Sequence, residues 1–331
     1  MDTRFDILVI GDSTIDTFIK IHDASVACDL NTKECKICIK YGSKIPVESI
    51  AHGVAGNAAN VAVACSTLGL KSAIYTNLGS DKQGELIKNA LVARGVSGDY
   101  IVESGDKSSN LSVVLTFQNE RTIFVYHQDW QYMLPDNIAD SSWVYLTSMA
   151  ETFVNSNIMD DVCHYVDRSG AKLAYAPGTF QLKSGVKKYP KILDRCELLI
   201  VNLEESQHIL GLDAVEKPPI RDVLSKLLLL GPKIVVVTDG EEGSYASNGK
   251  EYLRVGIFPT QVVEKTGAGD AYAAAFISAL TLGNGIGEAM VWGALNSAHA
   301  ISETGAQNGL MTKDEIIRYR SSLPEFVASN L

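Results

Sequence analysis

The sequence predicts an α/β fold of three layers, a central and mostly parallel sheet with helices on both faces, carrying a small β lid. Three observations predict it. Short β-rich apolar runs alternate with longer segments of helical periodicity, the mark of βαβ units. Those apolar runs are near-continuous, as strands covered on both faces must be. Two stretches, 14–50 and 99–126, break the rhythm and show the alternation of half-buried strands.

In chain order, the predicted core strands are 6–10, 72–76, 143–146, 172–175, 198–201 and 233–237. Between and after them, helical periodicity covers 57–68, 83–94, 153–168, 204–210, 220–230, 270–282, 287–302 and 313–320. Residues 111–117 and 121–126 alternate about Gln118-Asn119-Glu120 and predict a hairpin. Because these β segments are inserted between βαβ units, the simplest arrangement is a sheet standing off the main domain. The expected division is a core of residues 1–13, 51–97 and 129–331 and a discontinuous lid of 14–50 and 98–128.

The chain has 331 residues, 46% of them hydrophobic and 21% charged, enough for a large core with an appended piece. Its 29 Lys and Arg against 39 Asp and Glu give a net charge of −10, with no basic run, which argues against a nucleic-acid partner. No export signal opens the sequence. Its most small-apolar stretch, 271–282, falls short of the ~20 residues a bilayer crossing needs, so no membrane partner is expected. Six cysteines are too sparse for a disulfide scaffold, and the expectation is a cytoplasmic protein with reduced thiols. Cys28, Cys35 and Cys38 raise a metal site, but strand alternation would put Cys35 and Cys38 on opposite faces, where they cannot chelate together.

Ligands of open α/β sheets collect at the carboxyl ends of the strands. Three such ends are polar: Gly11-Asp12-Ser13-Thr14-Ile15-Asp16, Asn202-Leu203-Glu204-Glu205 and Thr238-Asp239-Gly240-Glu241-Glu242-Gly243. Singly, each is equally a cap or turn. A sharper feature is Glu264-Lys265-Thr266-Gly267-Ala268-Gly269-Asp270, running into a small-residue helix. Glycines at a helix start expose backbone N–H groups, and the positive helix end favours a phosphate. The plainer reading has the glycines shape a turn and Asp270 cap the helix. A carboxylate beside a bound phosphate repels it unless it accepts a proton, which is what phosphoryl transfer to a hydroxyl requires. Asn202 and Glu205, three apart, can share one face of a first helical turn and offer oxygen to Mg²⁺. The segment Gly53 to Asn60 puts amides and bare N–H groups at a helix start, suited to polyol hydroxyls or simply to close packing, and Asp16 could accept from further hydroxyls.

Other chemistries lack their motifs: there is no P-loop, no G-x-G-x-x-G after the first strand, no G-x-S-x-G elbow, and the six histidines have no zinc-ligand spacing.

Taken together, six ordered motifs resemble the ribokinase-like carbohydrate kinases of PfkB type: Gly11 to Asp16, Ala55 to Asn60 through Gly69, Asn202 to Glu205, Thr238 to Gly243, Thr266 to Asp270, and Gly305-Ala306-Gln307. The resemblance covers nearly the whole chain and implies a ribokinase-like fold and a Mg·ATP-dependent transfer of the γ-phosphoryl group to a hydroxymethyl group. By position it implies Asp270 as base, with Gly267, Ala268 and Gly269 as anion-hole donors. It further implies Asn202 and Glu205 around Mg²⁺ and phosphates, Thr238, Gly240 and Gly243 along the nucleotide, Asn296 near the adenine, and Asp16, Gly56 and Asn60 on the acceptor. A homodimer joined through the lid belongs to the same implication.

Two departures stand out. Ala55-Gly56 replaces the usual Gly-Gly, and Glu264-Lys265-Thr266 replaces Asp-Thr-Thr. In relatives that use K⁺ the leading Asp is a ligand, so Glu264 and Thr266 mark the place where a monovalent cation would bind. The acceptor is a ribose- or fructose-like sugar or, alternatively, an adenosine- or cytidine-like nucleoside whose base would stack on Phe124, Tyr126, Trp130 or Tyr132, unless these form lid core. Arg121 is the candidate lid cation for a phosphorylated sugar. A non-catalytic sugar or nucleotide sensor is the reading from another class.

Overall fold

A computed structural model describes residues 4–29, 35–118, 120–212 and 218–331. Its strands are β1 (Phe5–Ile10), β2 (Thr14–Ile21), β3 (Ser25–Cys28), β4 (Cys35–Cys38), β5 (Val47–Ala55), β6 (Ser72–Gly79), β7 (Ser97–Ser104) and β8 (Leu111–Phe117), then β9 (Glu120–Tyr126), β10 (Ser141–Leu146), β11 (Lys172–Tyr175), β12 (Cys196–Asn202), β13 (Ile234–Thr238), β14 (Ser244–Ser247), β15 (Tyr252–Val255) and β16 (Ser329–Asn330). The helices are α1 (Asn57–Thr67), α2 (Lys82–Ala93), α3 (Ile158–Ser169), α4 (Thr179–Ser184), α5 (Pro190–Arg195), α6 (Leu203–Leu210), α7 (Ile220–Leu228), α8 (Ala268–Thr281), α9 (Ile286–Ala300) and α10 (Lys313–Ser322).

Ten strands form one sheet in the order β16-β15-β14-β13-β12-β11-β10-β1-β6-β7, parallel from β7 to β13 and antiparallel beyond. Alternation splits each central strand between two cores. Ile7 and Val9 pack with α1, α8 and α9 on one face, while Leu8 and Ile10 pack with α3, α5 and α7 on the other. Small residues make the first layer possible. α1 and α8, rich in alanine, are buried on nearly every side and lie against each other, with α8 also against α9. The three-layer architecture is the expected one.

The lid is a second sheet, β5-β2-β8-β9, with β2 and β8 parallel and the outer pairs antiparallel. Its boundaries differ from expectation. Residues 97–104 form β7, the edge of the main sheet, because hydrogen bonding to β6 continues outward there, and β5 carries the lid on to Ala55. A separate hairpin, β3 with β4, sets Cys28 opposite Cys35, and the two are joined as a disulfide. This corrects the expectation of reduced thiols throughout: the antiparallel return of the chain, not the face alternation of one strand, decides which cysteines meet. Cys38 is a free, exposed thiol. Among the described residues no helix is long and apolar enough to cross a membrane.

Candidate active site

The carboxyl ends of β10, β12 and β13 and the start of α8 enclose a cavity of about 220 Å³, with Asn57, Ser148, Asn202, Glu205, Thr238, Gly269 and Asp270 in its wall. The predicted strand-end and helix-start residues therefore converge. Asn202 and Thr238 are register partners on neighbouring strands. Asn202 caps α6: its side-chain oxygen accepts from the Glu205 N–H at 2.8 Å, while Glu205 Oε2 accepts from the Asn202 N–H at 2.8 Å. This fixes the Glu205 carboxylate at the cavity, and burial raises its pKa despite the Asn202 hydrogen bond.

Gly267 precedes α8 in the left-handed region, φ 83°, and a Cβ there would stand 2.5 Å from that of Ala306. No side chain caps α8, so the N–H groups of its first turn, from Ala268, Gly269 and Asp270, lack a side-chain acceptor at the cap. Asp270 stands among them, 8% exposed. Asn57 Nδ2 donates to its Oδ1 at 2.9 Å and Asn60 Nδ2 to its Oδ2 at 2.8 Å. The two amides are held in turn, Asn57 by the Ser148 hydroxyl at 3.0 Å and Asn60 by Gln307 Nε2 at 3.0 Å. Burial pushes the Asp270 carboxyl up to about 6, with the two amide donors opposing.

From the lid, Asp16 adds a second carboxylate, 6% exposed, with Oδ1 left without a hydrogen-bond partner. Burial, together with the charges of Glu264 and Asp270, brings it to about 6 against the pull of the Ser112 hydroxyl. Gly56, φ 93°, lets the end of β5 pass where a Cβ would lie 2.7 Å from the Asp12 carbonyl oxygen. Glu264 Oε1 accepts from the N–H and hydroxyl of Thr266 at 3.0 and 2.7 Å, and an Arg121 guanidinium nitrogen lies 3.5 Å away.

Some expected residues do other work. Asn60 holds Asp270 and Gln307, so its amide is engaged with the carboxylate rather than left to an acceptor. Asn296 is fully buried, donating to the Ala271 carbonyl and accepting from the Met311 N–H, and so ties α9 to α8 and the chain before α10. Gly240 and Gly243 lie in the turn after β13, Gly240 with open space before it and Gly243 pressed against the Val255 carbonyl. The stacking aromatics fail on geometry. Trp130 and Tyr132 are buried, bonded to Asn110 and Asp12, and register sets Phe124 and Tyr126 on the lid face opposite Asp16. Asn57, Ser148 and Gln307 were missed as site residues; Asn57 and Gln307 stand inside quoted motifs, while Ser148 has no local signal.

Comparison with known proteins decides what kind of molecule this is, since the profile of the pfkB family carbohydrate kinases matches residues 18–313. The chain belongs to the pfkB family. This family member is therefore a phosphotransferase of the sugar and nucleoside kinase type. Among its relatives, an ATP-dependent 6-phosphofructokinase of Thermoanaerobacterium thermosaccharolyticum is 23% identical over 320 residues, covering 92% of this chain and 90% of its own. An Arabidopsis thaliana ribokinase solved with ribose and ATP superposes with a TM-score of 0.78 at 22% identity, covering 96% of this chain and 98% of its own. A Methanocaldococcus jannaschii nucleoside kinase does so with 0.75 at 18%, covering 96% and 99%.

Proposed function

We propose that this kinase transfers the γ-phosphoryl group of ATP to a hydroxymethyl group of a small neutral sugar, ribose- or fructose-like, with Asp270 as the general base. The observation that carries the reading is the Asp270 carboxylate, held by two amides among the uncapped N–H groups of α8 and opening into the cavity of Glu205 and Thr238. A base poised near 6 is ionised at neutral pH and still basic enough to take a hydroxyl proton. The first-turn N–H groups of α8 stabilise the transferring phosphoryl, and the lid excludes water.

Glu264 and Asp270 stand close enough to Asp16 to raise its pKa, with Arg121 facing Glu264, and the acceptor would lie beside these three carboxylates. Carboxylates accept from hydroxyls and repel phosphate, which favours a neutral polyol. Asp16 and the Gly56 backbone would hold its hydroxyls. With Phe124 and Tyr126 on the far face of the lid, a nucleoside base lacks its stacking partners.

Thr238, Gly240 and Gly243 would lie along the nucleotide. Among the described residues no group of three His, Cys, Asp or Glu forms a metal cage. Glu205, with Oε2 engaged by Asn202, fits a Mg²⁺ that arrives on nucleotide phosphates and keeps most of its waters. That ion would neutralise phosphate charge. Glu264 is a weak K⁺ ligand: its Oε1 is taken up by Thr266 and faces a guanidinium, which leaves Oε2 alone for an ion. The exposed apolar face of the lid, with Ile50, Phe124 and Tyr126, would be covered by a second copy of the chain.

The test is ADP formation from Mg·ATP, with and without K⁺, over a panel of pentoses, hexoses, sugar phosphates and nucleosides. Turnover with a free pentose or hexose, indifferent to K⁺, is the expected result. Turnover only with nucleosides would move the acceptor assignment, and tight acceptor binding with no turnover across the panel would overturn the reading in favour of a sensor.

A further inference from the structure

We propose that Arg121 is a positioning residue of the transfer reaction: from the lid it clamps the Glu264 carboxylate, so that the loop entering α8 takes its working shape only when the lid is down. The inference rests on the kinase reading above and deepens it.

Register places the group. Lys20, Thr116 and Arg121 are successive cross-strand partners on β2, β8 and β9, and the same face carries Asp16 and Ser112 two pairs along. Arg121 thus projects from the acceptor-facing side of the lid, near its tip. Its guanidinium meets Glu264 at 3.5 Å, and the Glu264 side chain is 11% exposed. A carboxylate so little hydrated needs a counter-charge, above all beside Asp16, which feels its charge. Arg121 is the cation within ion-pair distance of it among the described residues.

Glu264 in turn sets the loop. Its Oε1 accepts both the N–H and the hydroxyl of Thr266, and the next residue is Gly267, which leads into α8 against Ala306. A second pair, Lys265 with Glu120 at 3.6 Å, matches the loop's Glu-Lys against the strand's Glu-Arg with charges in register. Both of its partners are exposed, so it contributes little. The weight falls on Arg121. With the lid raised, Arg121 and Asp16 would leave together, and the Glu264 carboxylate, opened to water, would exchange its hold on Thr266 for hydration and loosen the first turn of α8. Acceptor capture under the lid would then be coupled to formation of the phosphoryl-binding N–H groups.

The test compares Arg121→Gln, Arg121→Lys, Glu264→Gln and the Arg121→Gln/Glu264→Gln double variant by steady-state kinetics with Mg·ATP and the best acceptor. It adds amide hydrogen exchange over residues 264–270 in the free protein and with acceptor plus a non-hydrolysable ATP analogue. Expected for Arg121→Gln is a kcat lower by about tenfold, with both dissociation constants within about twofold. Arg121→Lys should recover part of the loss, and the double variant should be no slower than the slower single one. Exchange over 264–270 should quicken in the complex with acceptor and nucleotide analogue, where the lid is down, and change less in the free protein. Unchanged exchange, additive losses, or a defect confined to KM for phosphorylated acceptors would overturn the proposal, the last by making Arg121 an acceptor-phosphate ligand. If no acceptor is turned over, the kinase reading fails, and the exchange comparison still decides whether Arg121 holds the loop.

Discussion

Asp270 and Asp16 belong to one acidic pit, and burial raises both carboxyl groups to about 6. Because the base must be ionised, kcat/KM should fall as pH drops through about 6, by roughly tenfold per unit. Asn57 donates to Asp270 and so favours its charged form. Asn57→Ala should therefore move the acid limb of the pH–rate profile to higher pH; a limb that stays in place would detach Asn57 from the base. Asp16 makes a prediction of stability. Its folded value lies above the ordinary 3.8, so the folded chain holds the proton more tightly, and the buried carboxylate destabilises the fold at neutral pH by roughly 2–3 kcal/mol. That penalty fades as pH falls from about 6 towards 3.8. Asp16→Asn should be more stable than the parent to urea at pH 7.5, equal to it near pH 4, and poorer in acceptor KM. Asp270, Asn202, Glu205 and Thr238 were legible because each follows a strand or opens a helix, where sequence position implies place. Asn57 and Ser148 stand 91 residues apart, and no local pattern announces their contact. Asn296, placed by the resemblance alone, ties helices together in the fold, a packing role that no local pattern announces either.

At the scale of elements, the strands of the main sheet were read from unbroken apolar runs, and β1, β10 and β13 fall within a residue or two of expectation. Edges misled. β7 lies at the margin of the sheet, so its sequence SGDYIVES alternates as a lid strand's would, and only its bonding to β6 assigns it. The cysteine hairpin misled for a related reason, since pairing between strands cannot be read from the faces of one. β9 is exposed along its whole length. Its acceptor-facing side carries Arg121, while Phe124, 57% exposed, and Tyr126 turn outward with Ile50 of β5. Covering that outer face with a second lid predicts a dimer in sedimentation velocity and a monomer for Phe124→Ser; a wild-type monomer at tens of micromolar would contradict it.

Over the whole molecule, the two cores on either face of the ten-stranded sheet make a packed floor, and the cavity lies where strand ends meet α8, with the lid's Asp16 near enough to feel the Asp270 charge. The division of labour follows from that placement: the floor fixes Asn202, Glu205, Thr238 and Asp270, and the lid brings Asp16 and Arg121. The central claim is that Asp270 accepts the hydroxyl proton, and Asp270→Asn tests it most directly, with turnover and nucleotide affinity measured side by side. The account predicts a loss of about 10²–10⁴ in kcat with the nucleotide dissociation constant within a few-fold of the parent. Turnover retained within about threefold would contradict it.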